Sequence, residues 1–301
     1  MTLVSADTSR EAVPTQPVSI SPAFRRLPPP ILIVGMHRSG TSMVAGMLAA
    51  LGAYVDPLLN SAAALGSPEV GTRLTGYGEA VVFRHLNEAI MERTGATWKQ
   101  ITPFLAQRDN PRFAAGSLLR MQIATYTSLH RGYLQAMPAS GVKVWGWKDP
   151  RNSLMLPYWL RLFPDARILH VRRSPNGVLD SLQRREQVWQ ATPAPSLAVR
   201  LKHAAMHPDV VLGKLRRTLG KSAIPIAPQK PEDWLRLSEQ YVGECLKYQK
   251  HPGGYLEVHY EEILADPHCY VSKMADYVQT DVSTAQLLRA AAFILVNEKK
   301  R

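Results

Sequence analysis

The chain has 301 residues, 46% of them hydrophobic and 20% charged, which supplies a substantial core and excludes a disordered polypeptide. With 36 Lys and Arg against 24 Asp and Glu its formal net charge is +12, a balance that favours acidic partners: nucleic acid, anionic lipid, or a highly phosphorylated co-substrate with a polyanionic acceptor. The basic residues are scattered in short knots such as Arg172-Arg173, Arg184-Arg185, Arg216-Arg217 and Lys299-Lys300-Arg301, with no nucleic-acid module among them, and the two cysteines, Cys245 and Cys269, lack the spacing of a zinc site or a disulfide scaffold.

Residues 1–29 are rich in Ser, Thr and Pro without a sustained period, and are expected to form a disordered leader closed by Pro28-Pro29-Pro30. Residues 30–301 are expected to form a single domain. No stretch approaches the roughly 20 apolar residues needed to span a bilayer, and the start of the chain lacks the basic-then-apolar pattern of a signal peptide. With only two cysteines, this fits a reducing, cytoplasmic compartment.

The apolar, β-prone run Ile31 to Val34 ends at Gly35, a second glycine stands at Gly40, and Met43 to Leu51 follows with the pattern of an amphipathic helix. A strand, a tight glycine loop and a helix start together make an anion pocket, because the loop N–H groups curl inward and the helix adds its positive dipole end. The spacing is almost that of the nucleotide loop G-x-x-x-x-G-K-[ST], but Thr41 stands at the lysine position, followed by Ser42. The cradle, His37-Arg38-Ser39-Gly40-Thr41-Ser42, therefore keeps its shape and relies on Arg38 for its one full positive charge. An ordinary βα turn with two glycines is the plainer alternative.

The glycine- and proline-containing stretch 56–78 is expected to be irregular and to lie over a site. Glu79, Val82, Phe83, Leu86 and Ile90 recur at helical spacing, with Gly95 as a stop, which puts Glu79 at a helix start, where a carboxylate is often only a capping or dipole partner. Asn110 to Ala136 is expected to be one long helix with Leu118, Met121, Ile123, Tyr126 and Leu129 in the core. Val142 to Trp147 is a predicted strand that stops before Pro150, so Lys148 falls at a strand's C-terminal edge, where parallel sheets carry their chemistry; a surface Lys-Asp pair is the ordinary alternative. A helix is expected from about Asn152 to Phe163.

Arg167 to Val171 is the next predicted strand, and the turn after it leads into a helix carrying Ser181. Arg173 and Ser181 are spaced R-x7-S, with Pro175 two after the arginine; a guanidinium offers paired charge-assisted donors to a phosphate, and a hydroxyl further into the helix closes the site. Arg172 is expected on the opposite face, solvated. Residues 186–232, broken by prolines, are expected to be an insertion capping the acceptor site. A helix over Trp234 to Tyr248, a short strand over Gly253 to Tyr260 and a final helical region complete the pattern.

In that order, the Arg38-Ser39-Gly40-Thr41 loop, Gly76-Tyr77-Gly78-Glu79 with Leu86-Asn87 and Gly95-Ala96-Thr97-Trp98, Lys148-Asp149-Pro150, Arg173-x7-Ser181 and Tyr260-Glu261-Glu262-Ile263 resemble the segments of sulfotransferases of the bacterial and glycan type, across about residues 30–280. The resemblance implies an α/β fold, a central parallel sheet flanked by helices in a P-loop-like arrangement with a helical cap. It implies the donor 3′-phosphoadenosine 5′-phosphosulfate (PAPS), the product PAP, and a hydroxyl-bearing acceptor such as a glycan, lipid or natural product. By the same resemblance Glu79 would be the general base, Lys148 and Arg38 would stabilise the transferring group, the loop His37 to Ser42 would hold the 5′ end, and Arg173 with Ser181 the 3′-phosphate. No metal is implied. The family's glycine-rich segment near the C-terminus has no counterpart, nor has 186–232 a recognisable one. His37 and His85 stand as rival bases, and a P-loop kinase or NTPase, or a polyanion-binding protein held by charge alone, stands as the rival class.

Overall fold

The computed structural model describes residues 19–57, 60, 79–138, 141–191, 230–278 and 282–298. Residues 1–18 of the expected leader, the Gly76-Tyr77-Gly78 part of the glutamate motif and residues 192–229 of the expected cap lie outside them.

After a short helix α1 (Pro22–Arg25) the chain enters strand β1 (Ile31–Val34) and helix α2 (Thr41–Ala50). Helices α3 (Val81–Glu92), α4 (Thr102–Arg108), α5 (Pro111–Tyr126) and α6 (Ser128–Gly132) follow, then a 3₁₀ turn at Leu134–Ala136. Strand β2 (Gly146–Lys148), α7 (Asn152–Leu162), β3 (Arg167–Arg172), α8 (Pro175–Ala191), α9 (Pro231–Leu246) and β4 (Tyr255–His259) come next, and α10 (Tyr260–Ala265), α11 (Pro267–Val278) and α12 (Thr284–Glu298) close the described chain. The four strands form one parallel sheet in the order β2-β1-β3-β4.

All four residues of β1 are buried, so it reads as a continuous apolar run, the signature of a strand covered on both faces. Leu32 and Val34 point into one layer, Ile31 and Ile33 into the other. The first layer is aromatic: Phe83 of α3 stacks on Trp147 of β2 at 4.1 Å, and Trp159 of α7 meets Trp147 edge-on at 4.7 Å. Burying a side chain of this size stabilises by about 2–3 kcal/mol, and these rings lock α3 and α7 against the sheet edge that bears Lys148. In the second layer α2 is packed by α12 so closely that a Cβ on Gly46 would lie 2.0 Å from the Phe293 ring. Helix α2 is accordingly buried all round apart from a partly exposed Ser42, instead of amphipathic as its pattern predicts.

The expected long helix 110–136 is broken. Its backbone turns out of helical geometry at Thr127 (φ −121°, ψ −97°), which lets Tyr133 bury itself and donate its hydroxyl proton to the backbone oxygens of Tyr54 and Gly146. The buried stripe of α5 is Ala114, Ser117, Leu118, Met121, Ala124 and Thr125. On a 3.6-residue period that stripe turns Ile123 and Tyr126 outward, 52% and 50% exposed, contrary to their expected place in the core. The strand expected over 142–147 is shorter and shifted, running Gly146–Lys148, with Trp145 making only an isolated bridge to Tyr54.

Candidate active site

The loop after β1 is held in a shape few residues allow. Gly35, Arg38 and Gly40 all have positive φ, at 141°, 71° and 98°. For Arg38, which carries a Cβ, this costs on the order of 1–3 kcal/mol, a strain that such loops keep where function requires it. A Cβ on Gly40 would lie 2.4 Å from the ring of Tyr260, and one on Gly35 would lie 2.4 Å from the Val171 carbonyl oxygen. Gly40 caps α2, whose first residues Thr41 and Ser42 therefore bring helix-start N–H groups to the loop. Gly35 N–H donates to Ser153 Oγ at 2.9 Å, which ties the loop's entry to α7.

The structure brings the loop and the R-x7-S motif together. Arg38 Nε donates to Ser181 Oγ at 2.9 Å, and an Arg173 guanidinium nitrogen donates to the Arg38 carbonyl oxygen at 3.1 Å. Arg173 also lies over the Tyr260 ring, 4.5 Å from its centroid. Tyr260 thus supports both Gly40 and Arg173, a role its motif did not disclose. Arg172 is not simply solvated: it donates to Glu257 at 2.9 Å, beside His170 and His259.

A second cluster forms at the end of β2. Lys148 is 1% exposed, and its Nζ lies 3.1 Å from Glu79 Oε1; Arg84 Nε lies 3.6 Å from Glu79 Oε2. Burial lowers the Lys148 pKa and the neighbouring Glu79 carboxylate opposes that shift. Glu79 precedes the N-cap residue Ala80 of α3 and makes its contacts with these two cations, so the capping explanation fails. His85 Nε2 lies 3.2 Å from the Arg84 guanidinium.

A network of polar residues whose part was not legible in the sequence flanks this pair. Asp149 Oδ1 accepts from Arg151, and Asp149 Oδ2 accepts from Asn87 Nδ2 at 2.8 Å; Asn87 in turn accepts from Trp159 Nε1 and donates to Asn152. Arg151 also meets Glu88 at 2.6 Å. Burial raises the Glu88 pKa, opposed by Arg151 and Arg84. The signal was present in part, since Asn87 and Asp149 fall inside the quoted motifs, but their partners are supplied by other helices.

Beside this network opens a cavity of ≈ 270 Å³ lined by Glu88, Met91, Trp98, Lys99 and Arg151. Trp98 stands against His37 of the loop with ring centroids 4.2 Å apart, and the Arg185 guanidinium lies over the Trp98 ring at 5.3 Å. Anion loop, ion pair and cavity are therefore contiguous. The buried atoms His37 Nε2 and Ser39 Oγ meet no hydrogen-bond partner. Among the described residues no cluster of His, Cys, Asp and Glu could hold a metal ion, and no helix is long and apolar enough to cross a membrane.

A family model described as "Sulfotransferase family" matches residues 29–284. No curated protein matches the chain. Among solved structures, the chain is similar to the sulfotransferase domain of the Synechococcus PCC 7002 olefin synthase, at 19% identity over 86% of this chain and 76% of that one, with a TM-score of 0.40. It is also similar to the sulfotransferase STF9 from Mycobacterium avium, at 14% identity over 91% of this chain and 70% of that one, with a TM-score of 0.45.

Proposed function

Because the chain belongs to the sulfotransferase family, we propose that it moves a sulfuryl group from PAPS to a hydroxyl of a carbohydrate, lipid or other small-molecule acceptor, giving PAP and a sulfate ester. The observation that carries this reading is the junction of Arg38 with Ser181 and of Arg173 with the Arg38 carbonyl, which makes one basic floor next to the Glu79–Lys148 pair.

When bound, the donor supplies an activated sulfuryl group on a 5′-phosphate leaving group. In this reading the loop from His37 to Ser42, with the Arg38 charge and the N–H groups at the start of α2, receives the 5′ end. Arg173 and Ser181 receive the 3′-phosphate, the guanidinium through charge-assisted hydrogen bonds. Glu79 accepts the proton of the acceptor hydroxyl as its oxygen bonds to sulfur. Lys148 faces the same reacting centre with a buried positive charge, where the low dielectric makes it most effective against charge on the transferring oxygens. The cavity beside Trp98 seats the acceptor. Cys245 and Cys269 are free thiols, in keeping with a cytoplasmic setting.

Calorimetry with PAP tests the donor assignment. Wild type is expected to bind PAP, to bind ATP, which lacks the 3′-phosphate, at least tenfold more weakly, and to need no magnesium. Arg173→Ala is expected to weaken PAP binding by about 10- to 100-fold, the cost of a charged hydrogen-bonded contact, and to weaken ATP binding by less, through the lost support of the Arg38 carbonyl. Equal affinities for ATP and PAP, or binding that depends on magnesium, would favour the P-loop NTPase instead.

A further inference from the structure

We propose that the outward side of α5 is a docking surface for an anionic lipid bilayer, an interaction that does not depend on the donor reading above. Helix α5 carries two apolar rows where its place in the fold needs one. The first, with Ala114, Leu118, Met121 and Ala124, is buried against the core. The second, Ala115, Leu119, Ile123 and Tyr126, also runs at helical spacing, and its three large side chains are half or more exposed. Apolar residues scattered singly on a surface need no explanation, but a continuous row marks a contact with something outside the molecule.

Charge decides what that something is. Arg112 heads the row one turn before Ala115, and Arg120 borders it beside Leu119; both are exposed. Arg131, on α6, is exposed as well. At the far end the Ile20 carbonyl oxygen accepts from the Tyr126 hydroxyl at 3.2 Å and from Arg25 Nε at 3.0 Å, so a further exposed arginine stands beside the Tyr126 side chain. From Pro111 through Trp147 the sequence holds no Asp or Glu at all. Asp109, the acid that precedes the helix, already meets Arg108 at 3.2 Å.

An apolar row with positive margins fits the boundary of a bilayer that carries anionic headgroups. The aliphatic side chains enter the acyl region, the guanidinium groups stay among the phosphates, and tyrosine, apolar in its ring and polar at its tip, sits at the level between. A second copy of the chain fits less well, because a two-fold contact would press arginines of both copies against one strip with no carboxylate to meet them. A nucleic acid would use the arginines and leave the apolar row without a part. The surface is also preformed: Arg93 donates to Ser117 Oγ at 3.2 Å, and Ser21 N–H donates to Thr125 Oγ1 at 3.0 Å, so α5 is pinned from both ends and docking needs no folding step.

The test is sedimentation of the full chain with vesicles of phosphatidylcholine alone or with about 30% phosphatidylserine. Wild type is expected to bind the mixed vesicles at least tenfold more tightly, and to lose that advantage in about 0.5 M salt, which screens the charges. The double change Leu119→Gln with Ile123→Gln should weaken binding by about tenfold or more, with circular dichroism and the urea midpoint unchanged. Arg112→Gln with Arg120→Gln should cost about as much on mixed vesicles, at roughly fivefold for each charge. Failure of wild type to bind mixed vesicles, or equal binding to both kinds, would overturn the proposal without need of a variant. Full binding by the Leu119 and Ile123 pair would reduce the contact to charge alone and overturn it too. Analytical ultracentrifugation showing a dimer that this pair abolishes would give the surface to a second copy instead.

Discussion

Replacing Lys148 by methionine is expected to lower turnover by about a thousandfold, the scale on which a preorganised charge at a transition state acts, while PAP affinity stays within a few-fold of wild type. Methionine has a similar length without the charge, which matters because Lys148 is 1% exposed. Its partner is Glu79 and not the loop, so the contacts among Arg38, Arg173 and Ser181, the residues proposed to hold the nucleotide, should survive the change. Glu79→Gln is expected to cost about 10²–10⁴ in turnover, the range for removal of a general base. The two residues form one ion pair, so the double variant should be little worse than the worse single one. Single-turnover assays with labelled PAPS, using an acceptor found by screening, would show this. If the losses multiply, the two residues act independently and the paired mechanism fails.

Gly40→Ala carries the second large effect, this time on both stability and binding. The new Cβ would enter a left-handed backbone at φ 98° and lie 2.4 Å from the Tyr260 ring. The backbone cost is about 1–2 kcal/mol and overpacking adds about 1–3 kcal/mol. The ring cannot retreat without disturbing Arg173, which lies over it. Urea unfolding should show the loss of stability, and calorimetry should show PAP binding weakened by more than 100-fold. Adding Tyr260→Leu should return the steric part and leave the backbone part, so partial recovery of stability without recovery of binding is expected. Wild-type PAP affinity in Gly40→Ala would remove the loop from the nucleotide site.

The elements of the sheet were legible because parallel strands covered on both faces are short apolar runs that end in glycine or charge, as Ile31 to Val34 ends at Gly35 and Arg167 to Val171 ends at Arg172. The identities of Arg38, Glu79, Lys148, Arg173 and Ser181 were legible as motif residues. Their pairings were not. That Arg38 reaches Ser181, or that Lys148 reaches Glu79, depends on which elements pack together across 143 and 69 residues of chain, and no local spacing encodes it. The same holds for Arg172, whose partner Glu257 arrives on β4, a strand paired in register only once the sheet has formed. Exposure was misjudged where a periodic pattern supplied more apolar positions than one stripe can bury, as with Ile123 and Tyr126. The break at Thr127 had no glycine or proline to announce it; it follows from the need to bring Tyr133 to the sheet edge.

Tyr260 is the residue that directly follows β4, and β4 is an outermost strand of the described sheet. Its ring underpins Gly40 and Arg173, two parts of the proposed donor floor that come from distant stretches of chain. Peeling of that border would therefore slacken the proposed nucleotide site while the tryptophan-lined half of the molecule stayed intact. Heat or mild denaturant should then silence the protein by fraying one margin, well before the fold as a whole gives way.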